Sequence, residues 1–169
     1  MWNYTDTPLA YFISFRTYGT WLHGDLRGSI DRFHNSYGSP YLPPNENWRK
    51  YNQQLMKGEP LILGVRQRAS VEAAIRETCR IRQWSLLAVN VRTNHAHVVV
   101  TATHPPELVL NAFKANATRQ LRAAGLWSHV FSPWADKGSK RRLWNERSVA
   151  RAIDYVLYGQ GNDPLDFDD

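Results

Sequence analysis

Thr93-Asn94-His95-Ala96-His97-Val98-Val99-Val100-Thr101 is a short turn that runs into a β-branched segment. Val and Thr at this density favour a strand, and in a strand successive side chains point to opposite faces. His95, His97, Val99 and Thr101 therefore share one face. Ala96, Val98, Val100 and Ala102 share the other, which is apolar enough to bury against helices. Two imidazoles at i and i+2 on one face can hold a single metal ion between them. A His-x-His pair is a short motif, and the chain on either side of it decides what it means.

Immediately before it, Leu86 to Val91 reads as a strand, and the Arg92-Thr93-Asn94 turn predicts that the two pair as a hairpin. Upstream, Ser70 can cap a helix running to about Trp84, with Val71, Ala74, Ile75, Thr78 and Cys79 on one face. Tyr11 to Tyr18 is aromatic and β-branched, and forms the first strand. Tyr11, Ile13, Phe15 and Thr17 fall on one side of it, and Phe12, Ser14, Arg16 and Tyr18 on the other. Downstream, Pro105-Pro106-Glu107 opens a second long helix that ends near Gly125, with Leu110, Phe113, Ala117, Leu121 and Ala124 as its apolar stripe. Its far side carries Arg119 and Arg122, with Lys114 on the flank, either a solvated face or one that binds a nucleic-acid backbone. Val130 to Trp144 reads as a short strand pair around Lys137-Gly-Ser-Lys-Arg-Arg142. Asn145 then caps a last helix, about Glu146 to Tyr158, stopped by Gly159 and Gly161. The order strand, helix, strand, strand, helix, strand is the split-βαβ pattern of an α+β, ferredoxin-like fold. It predicts an antiparallel sheet with two helices on one face and a C-terminal helix that carries Tyr155 and Tyr158. His95 and His97 point to the face those two helices leave uncovered.

The chain has 169 residues, enough for one domain with a proper core. The expected domain covers residues 1–161, interrupted by a long insert at about 19–69 and followed by an acidic tail, 162–169. That tail holds four Asp and no base. Without it the chain carries 21 bases against 11 acids, a formal charge of +10, compared with +6 for the whole. This surplus favours a polyanionic partner, most commonly nucleic acid. Cys79 is the only cysteine, which excludes an internal disulfide and a thiolate zinc site and predicts a buried, inert thiol. No basic-then-apolar leader opens the sequence and no run is long enough to span a bilayer, so a cytoplasmic protein with no membrane partner is expected. The insert begins Tyr18-Gly-Thr-Trp-Leu-His-Gly-Asp-Leu-Arg27 and reaches Arg32. Its glycines allow close backbone approach to a ligand, and Trp21 can stack on a base, with Arg16, Arg27 and Arg32 at hand for phosphates. The same aromatics would equally serve to pack the loop down on itself. Lys140, Arg141, Arg142 and Arg151 complete the candidate nucleic-acid contacts.

A metal on an open sheet face beside basic loops points to phosphoester chemistry, which needs a nucleophile. No Ser-His-Asp spacing or activated cysteine is evident, leaving the tyrosines of the last helix. With Val149, Ala152, Ile153, Val156 and Leu157 as the buried stripe, Tyr155 sits about 120° from its centre, on the shoulder beside a neighbouring cleft. Tyr158 lies nearly opposite and faces outward. Tyr155 is the candidate nucleophile and Tyr158 the fallback.

His95-Ala96-His97, the helix bearing Tyr155-Val-Leu-Tyr-Gly-Gln160 and the opening Thr17-Tyr-Gly-Thr-Trp-Leu-His-Gly-Asp-Leu-Arg-Gly-Ser-Ile-Asp-Arg32 together resemble the single-tyrosine HUH transposases, in particular the branch of REP-associated tyrosine transposases. The resemblance runs from about Tyr11 to Gly161. It implies a transposase-like endonuclease and strand transferase acting on single-stranded DNA beside imperfect hairpins, as a monomer or homodimer. It further implies that His95 and His97 bind Mg²⁺ or Mn²⁺, and that Tyr155 attacks the scissile phosphate to leave a 5′-phosphotyrosine and a free 3′-hydroxyl. Relatives place an Asn or Gln, the third metal ligand, one turn after the tyrosine. That position here is Gly159, so the implied ligand moves to Gln160. Ala96 is also smaller than the bulky apolar residue usual between the histidines. Two other readings use the same residues. One is a catalytically silent scaffold that binds DNA or RNA hairpins, and the other a metal-dependent phosphodiesterase that uses water.

Overall fold

The computed structural model of the chain describes residues 7–19 and 59–159. Most of the 19–69 insert, including Trp21, Arg27 and Arg32, lies outside these residues, as do Gln160 and the acidic tail. Strand β1 (Ala10–Arg16) sits inside the sheet and pairs antiparallel with β3 (His95–Thr101) on one side and β4 (Ser139–Leu143) on the other. Strand β2 (Ser85–Val91) pairs antiparallel with the outer side of β3, so the sheet order is β2-β3-β1-β4. Helix α1 (Val65–Arg82) connects β1 to β2, and α2 (Pro106–Ala123) connects β3 to β4. This is the ferredoxin-like α+β arrangement read from the sequence. No helix among the described residues is long and apolar enough to cross a membrane.

Strand alternation sorts the core. Tyr11, Ile13, Phe15, Ala96, Val98 and Val100 face α1 and α2 and pack with Val71, Ile75, Phe113 and Leu121. The α1 stripe is the one the sequence indicates, with Val71, Ala74, Ile75, Thr78 and Cys79 all buried. Burial pushes the Cys79 thiol up to about 11, so it remains a protonated apolar filler at neutral pH.

Two boundaries differ from the sequence reading. Helix α1 begins at Val65, not after Ser70, because Gly64 is its N-cap and its N–H donates to Gln67 Oε1 at 2.9 Å. Leu63, buried just before it, donates its N–H to the Thr93 carbonyl at 2.6 Å, which fixes where the helix starts. The expected strand pair over 130–144 reduces to β4 alone. Upstream of β4, Trp134 makes only an isolated bridge with Thr17. Its indole N–H turns instead into the helical layer, toward Lys114 O and Thr118 Oγ1, and Pro133 beside it has no N–H to give a ladder.

Helix α3 (Glu146–Tyr158) is capped as expected, with Asn145 Oδ1 accepting from the Ser148 N–H at 2.8 Å. It lies across the second sheet face, where Ala152 and Val156 bury against Ala10, Phe12, Ala88, Val99 and Leu143. That face is therefore not open throughout, and the histidines stand at the margin of the helix that covers it.

The β1–β4 seam is held very close at one point. A Cβ on Gly138 would meet the Ser14 carbonyl oxygen at 2.6 Å and the Leu110 side chain at 3.1 Å. Gly138→Ala is therefore expected to destabilise the fold by about 1–3 kcal/mol, since the strand backbone cannot yield as a side chain would. Urea unfolding measures this, and a change under about 0.5 kcal/mol would disprove the close contact.

Candidate active site

The sheet register assembles the site. His97 lies directly opposite Ser14 of β1 and Asn90 of β2, and His95 lies opposite Arg16. Facing residues in an antiparallel pair share a face, so Ser14, Arg16, Asn90, His95 and His97 form one polar group on the second face. The two imidazole centroids are 4.6 Å apart.

Each ring is oriented through its Nδ1. His95 Nδ1 lies 2.6 Å from Asn94 Oδ1. An amide oxygen can only accept, so Nδ1 carries the hydrogen of this contact. His97 Nδ1 lies 2.5 Å from Ser14 Oγ, a hydroxyl that can donate or accept. Outer partners of this kind fix ring orientation at metal-binding histidines.

His97 is enclosed by other rings. It stacks on Phe12 at 5.5 Å between centroids and meets the ring of Tyr155 at 5.6 Å. Desolvation by this packing, then the neighbouring His95 and Arg92, push its pKa from 6.5 down to about 3. His97 is therefore neutral at any physiological pH, the form in which an imidazole can coordinate a metal. A histidine depressed in the folded state is protonated first in the unfolded chain. The stability this group contributes is complete above about pH 6.5 and is lost as pH falls toward 3. Between pH 6.5 and 4.5 the wild type is expected to lose about 2–3 kcal/mol that His97→Gln does not lose. Parallel urea titrations of the two proteins check this, and equal slopes against pH would show that His97 titrates normally.

Tyr155 is half-buried on α3, its ring also edge-on to Phe12 at 6.0 Å. Asn90 Nδ2 donates to the carbonyl of the adjoining Val156 at 3.0 Å, joining the tyrosine helix to the strand beside the histidines. The helix is rolled relative to the stripe expected from sequence. Ser148, Ala152 and Val156 are its buried line, Leu157 is 44% exposed, and Tyr155 is about 60° from Ala152. Tyr158 is 84% exposed and faces away. Gly159 ends the helix, its N–H donating to Tyr155 O at 3.1 Å, and a Cβ there would stand 3.2 Å from Tyr155 Cα.

Among the described residues no group of three or more His, Cys, Asp or Glu side chains gathers as a metal cage. The donor set nevertheless fits a divalent ion held by two imidazole nitrogens, with further positions left to water or substrate oxygens. Gln160, the expected third ligand, lies outside the described residues.

The basic residues divide between the two sides of the sheet. Arg16 and Arg141 (opposite Phe12 in register) are on the histidine face, and exposed Arg151 is on α3. Lys140 and Arg142 oppose Ile13 and Tyr11 and so fall on the helical face. Lys114, Arg119 and Arg122 belong to α2, across the sheet from the histidines. Lys114 does not present a free ammonium, because its Nζ donates to the carbonyls of Ala135 and Lys137. Burial lowers its pKa to about 8, with Asp136 opposing that shift and Lys140 and Arg16 adding to it. Arg119 pairs with Glu77 at 3.3 Å.

Ser14, Asn90, Asn94 and Phe12 are the site residues that sequence reasoning missed. The sequence places Ser14 only on the same side of the first strand as Phe12 and Arg16, and Asn90 becomes visible only once the register is known.

No family model and no curated protein matches the chain. Among solved structures it is similar to a REP-associated tyrosine transposase bound to a REP hairpin, with TM-score 0.47 and 12% identity, over 92% of this chain and 68% of that one. It is also similar to a proposed transposase from Deinococcus radiodurans R1, with TM-score 0.48 and 13% identity, over 94% of this chain and 96% of that one.

Proposed function

We propose that this chain is a metal-dependent endonuclease and strand transferase for single-stranded DNA next to hairpins, with Tyr155 as its nucleophile. The observation that carries the reading is the juxtaposition of the Tyr155 ring with His97, which itself touches His95, on one face of the sheet. An aromatic ring bearing a hydroxyl, placed beside a pair of imidazoles, is suited to phosphoryl transfer, and the motifs that resemble the single-tyrosine HUH transposases supply the substrate class. His95 and His97 would hold Mg²⁺ or Mn²⁺, which when bound would polarise a phosphate oxygen and offset charge building on the phosphoryl group.

The remaining steps belong to the chain. Tyr155 Oη gives its proton to water and forms a bond to phosphorus as the bond from phosphorus to the 3′-oxygen breaks. The 3′-oxygen takes a proton from water to leave as a hydroxyl, and the 5′-phosphate stays on the tyrosine. The phosphotyrosine conserves the phosphodiester bond energy, so attack by a second 3′-hydroxyl rejoins DNA without ATP. Ser14 and Asn94 orient the imidazoles, Asn90 holds the helix that carries the nucleophile, and Arg16 is placed to meet backbone phosphate beside His95.

The test incubates the protein with single-stranded hairpins from DNA flanking the gene and Mg²⁺ or Mn²⁺, then separates the products on a denaturing gel. A DNA-linked protein band that is absent in EDTA is the expected result. Cleavage without the band would assign the site to water-dependent hydrolysis. Binding with neither would assign the chain to the silent scaffold, consistent with the missing side chain at Gly159.

A further inference from the structure

The segment between α2 and β4 carries a ladder of rings that the chemistry above leaves unused. His129 and Phe131 stack at 4.9 Å with only 23° between their planes. Phe131 also contacts Tyr18 at 4.9 Å and Trp127 at 5.5 Å. The base of the ladder is rigid, because the buried Trp127 donates its indole N–H to Phe131 O at 2.9 Å. The upper rings are not buried. His129 is exposed, Phe131 only half-buried, and Val130 between them is 96% exposed. Phe131 thus borders the core cluster that contains Trp127, while His129 and Val130 lie at the surface.

Charge and position point to the same occupant. Arg122, an exposed base on α2, reaches the carbonyls of Val130 and Phe131 at 3.4 Å and so sits against the ladder. Tyr18 N–H donates to Pro133 O and Ala135 N–H to Arg16 O, which ties the segment to the end of β1. Arg16 is the register partner of His95. Tyr18 follows just past the end of β1, and Thr17 between them donates its N–H to the Asn94 carbonyl at 2.9 Å, so the ladder starts at the end of the sheet where His95 opens β3. Rings in a row with a base alongside are the surface on which unpaired bases stack, with little dependence on sequence.

We propose that the Tyr18–Phe131–His129 ladder is a stacking platform for unpaired bases of single-stranded DNA running to or from the phosphate held at His95, His97 and Tyr155. The proposal rests on the function proposed above, and its test separates the two. A single-stranded oligonucleotide containing 5-bromodeoxyuridine is irradiated with the full-length protein, and the cross-linked peptides are mapped by mass spectrometry. Affinity for the same strand is measured by fluorescence anisotropy with His129→Ala, and with Phe131→Ser wherever thermal melting shows a folded protein. Cross-links at 127–131 and an affinity about tenfold weaker in His129→Ala are expected, with the same oligonucleotide as a perfect duplex bound as before. Cross-links confined to other segments together with unchanged affinity in His129→Ala would overturn the platform, even if the DNA–protein adduct forms. Cross-links at 127–131 without an adduct would keep the platform and remove the strand-transfer chemistry. No binding of the single strand at all would overturn both.

Discussion

Tyr155→Phe is expected to abolish the covalent DNA–protein adduct and to lower strand cleavage by more than about 10³-fold, the loss usual when a covalent nucleophile is removed. The variant is informative because it deletes one oxygen and leaves the ring. The ring-to-ring packing against Phe12 and His97 is kept by phenylalanine, so the helix should dock as before, with stability changed by about 1 kcal/mol or less. Affinity for hairpin DNA, measured by anisotropy in EDTA, should stay within twofold. An adduct formed in undiminished yield would refute Tyr155 as nucleophile. If it then disappears in Tyr158→Phe, the outward-facing tyrosine must reach the phosphate by a rearrangement of the helix end.

His97→Ala should remove metal-dependent cleavage by at least about a hundredfold, since it takes away one of two protein nitrogens in the candidate site. Calorimetric titration with Mn²⁺ gives a readout independent of turnover, in which the wild-type binding isotherm should be lost in the variant. Ser14→Ala tests the orienting contact separately. It leaves both imidazoles in place, so metal should still bind, about 10–100-fold more weakly. Cleavage that survives His97→Ala with its metal dependence intact would place the ion elsewhere. A thermal melt belongs beside both measurements, because removing the imidazole also strips a packing partner from Phe12.

Strand alternation and helical stripes made most of the fold legible. The β1 and β3 faces follow directly from Tyr11–Phe15 and His95–Val100, and α1 needed only the positions of Val71, Ala74, Ile75, Thr78 and Cys79. Asn145 announced the start of α3 because its side chain acts locally. What escaped depends on contacts between distant parts of the chain. The start of α1 is set by Leu63 reaching Thr93, and the loss of the first strand in 130–144 by an indole drawn into the helical layer. The roll of α3 depends on Phe12, Ala88 and Asn90, none of them local to the helix, so Leu157 falls in the buried stripe by phase and is exposed. Pairing between strands likewise brought Ser14 and Asn90 to His97. The bases show the same limit. Arg16 and Arg119 look equivalent in composition, yet the sheet separates them.

The order in which the chain is made has a consequence for this site. The histidines lie on β3 and the candidate nucleophile 58 residues later, on the last described helix. At translation rates of about 5–20 residues per second, the ribosome needs several seconds to go from one to the other. Through that interval Phe12 and Val99 lack the helix that will cover them, and the two histidines stand without Tyr155. A nascent chain, or one cut before α3, would thus lack the candidate nucleophile and would carry an adhesive apolar face that quality-control chaperones recognise.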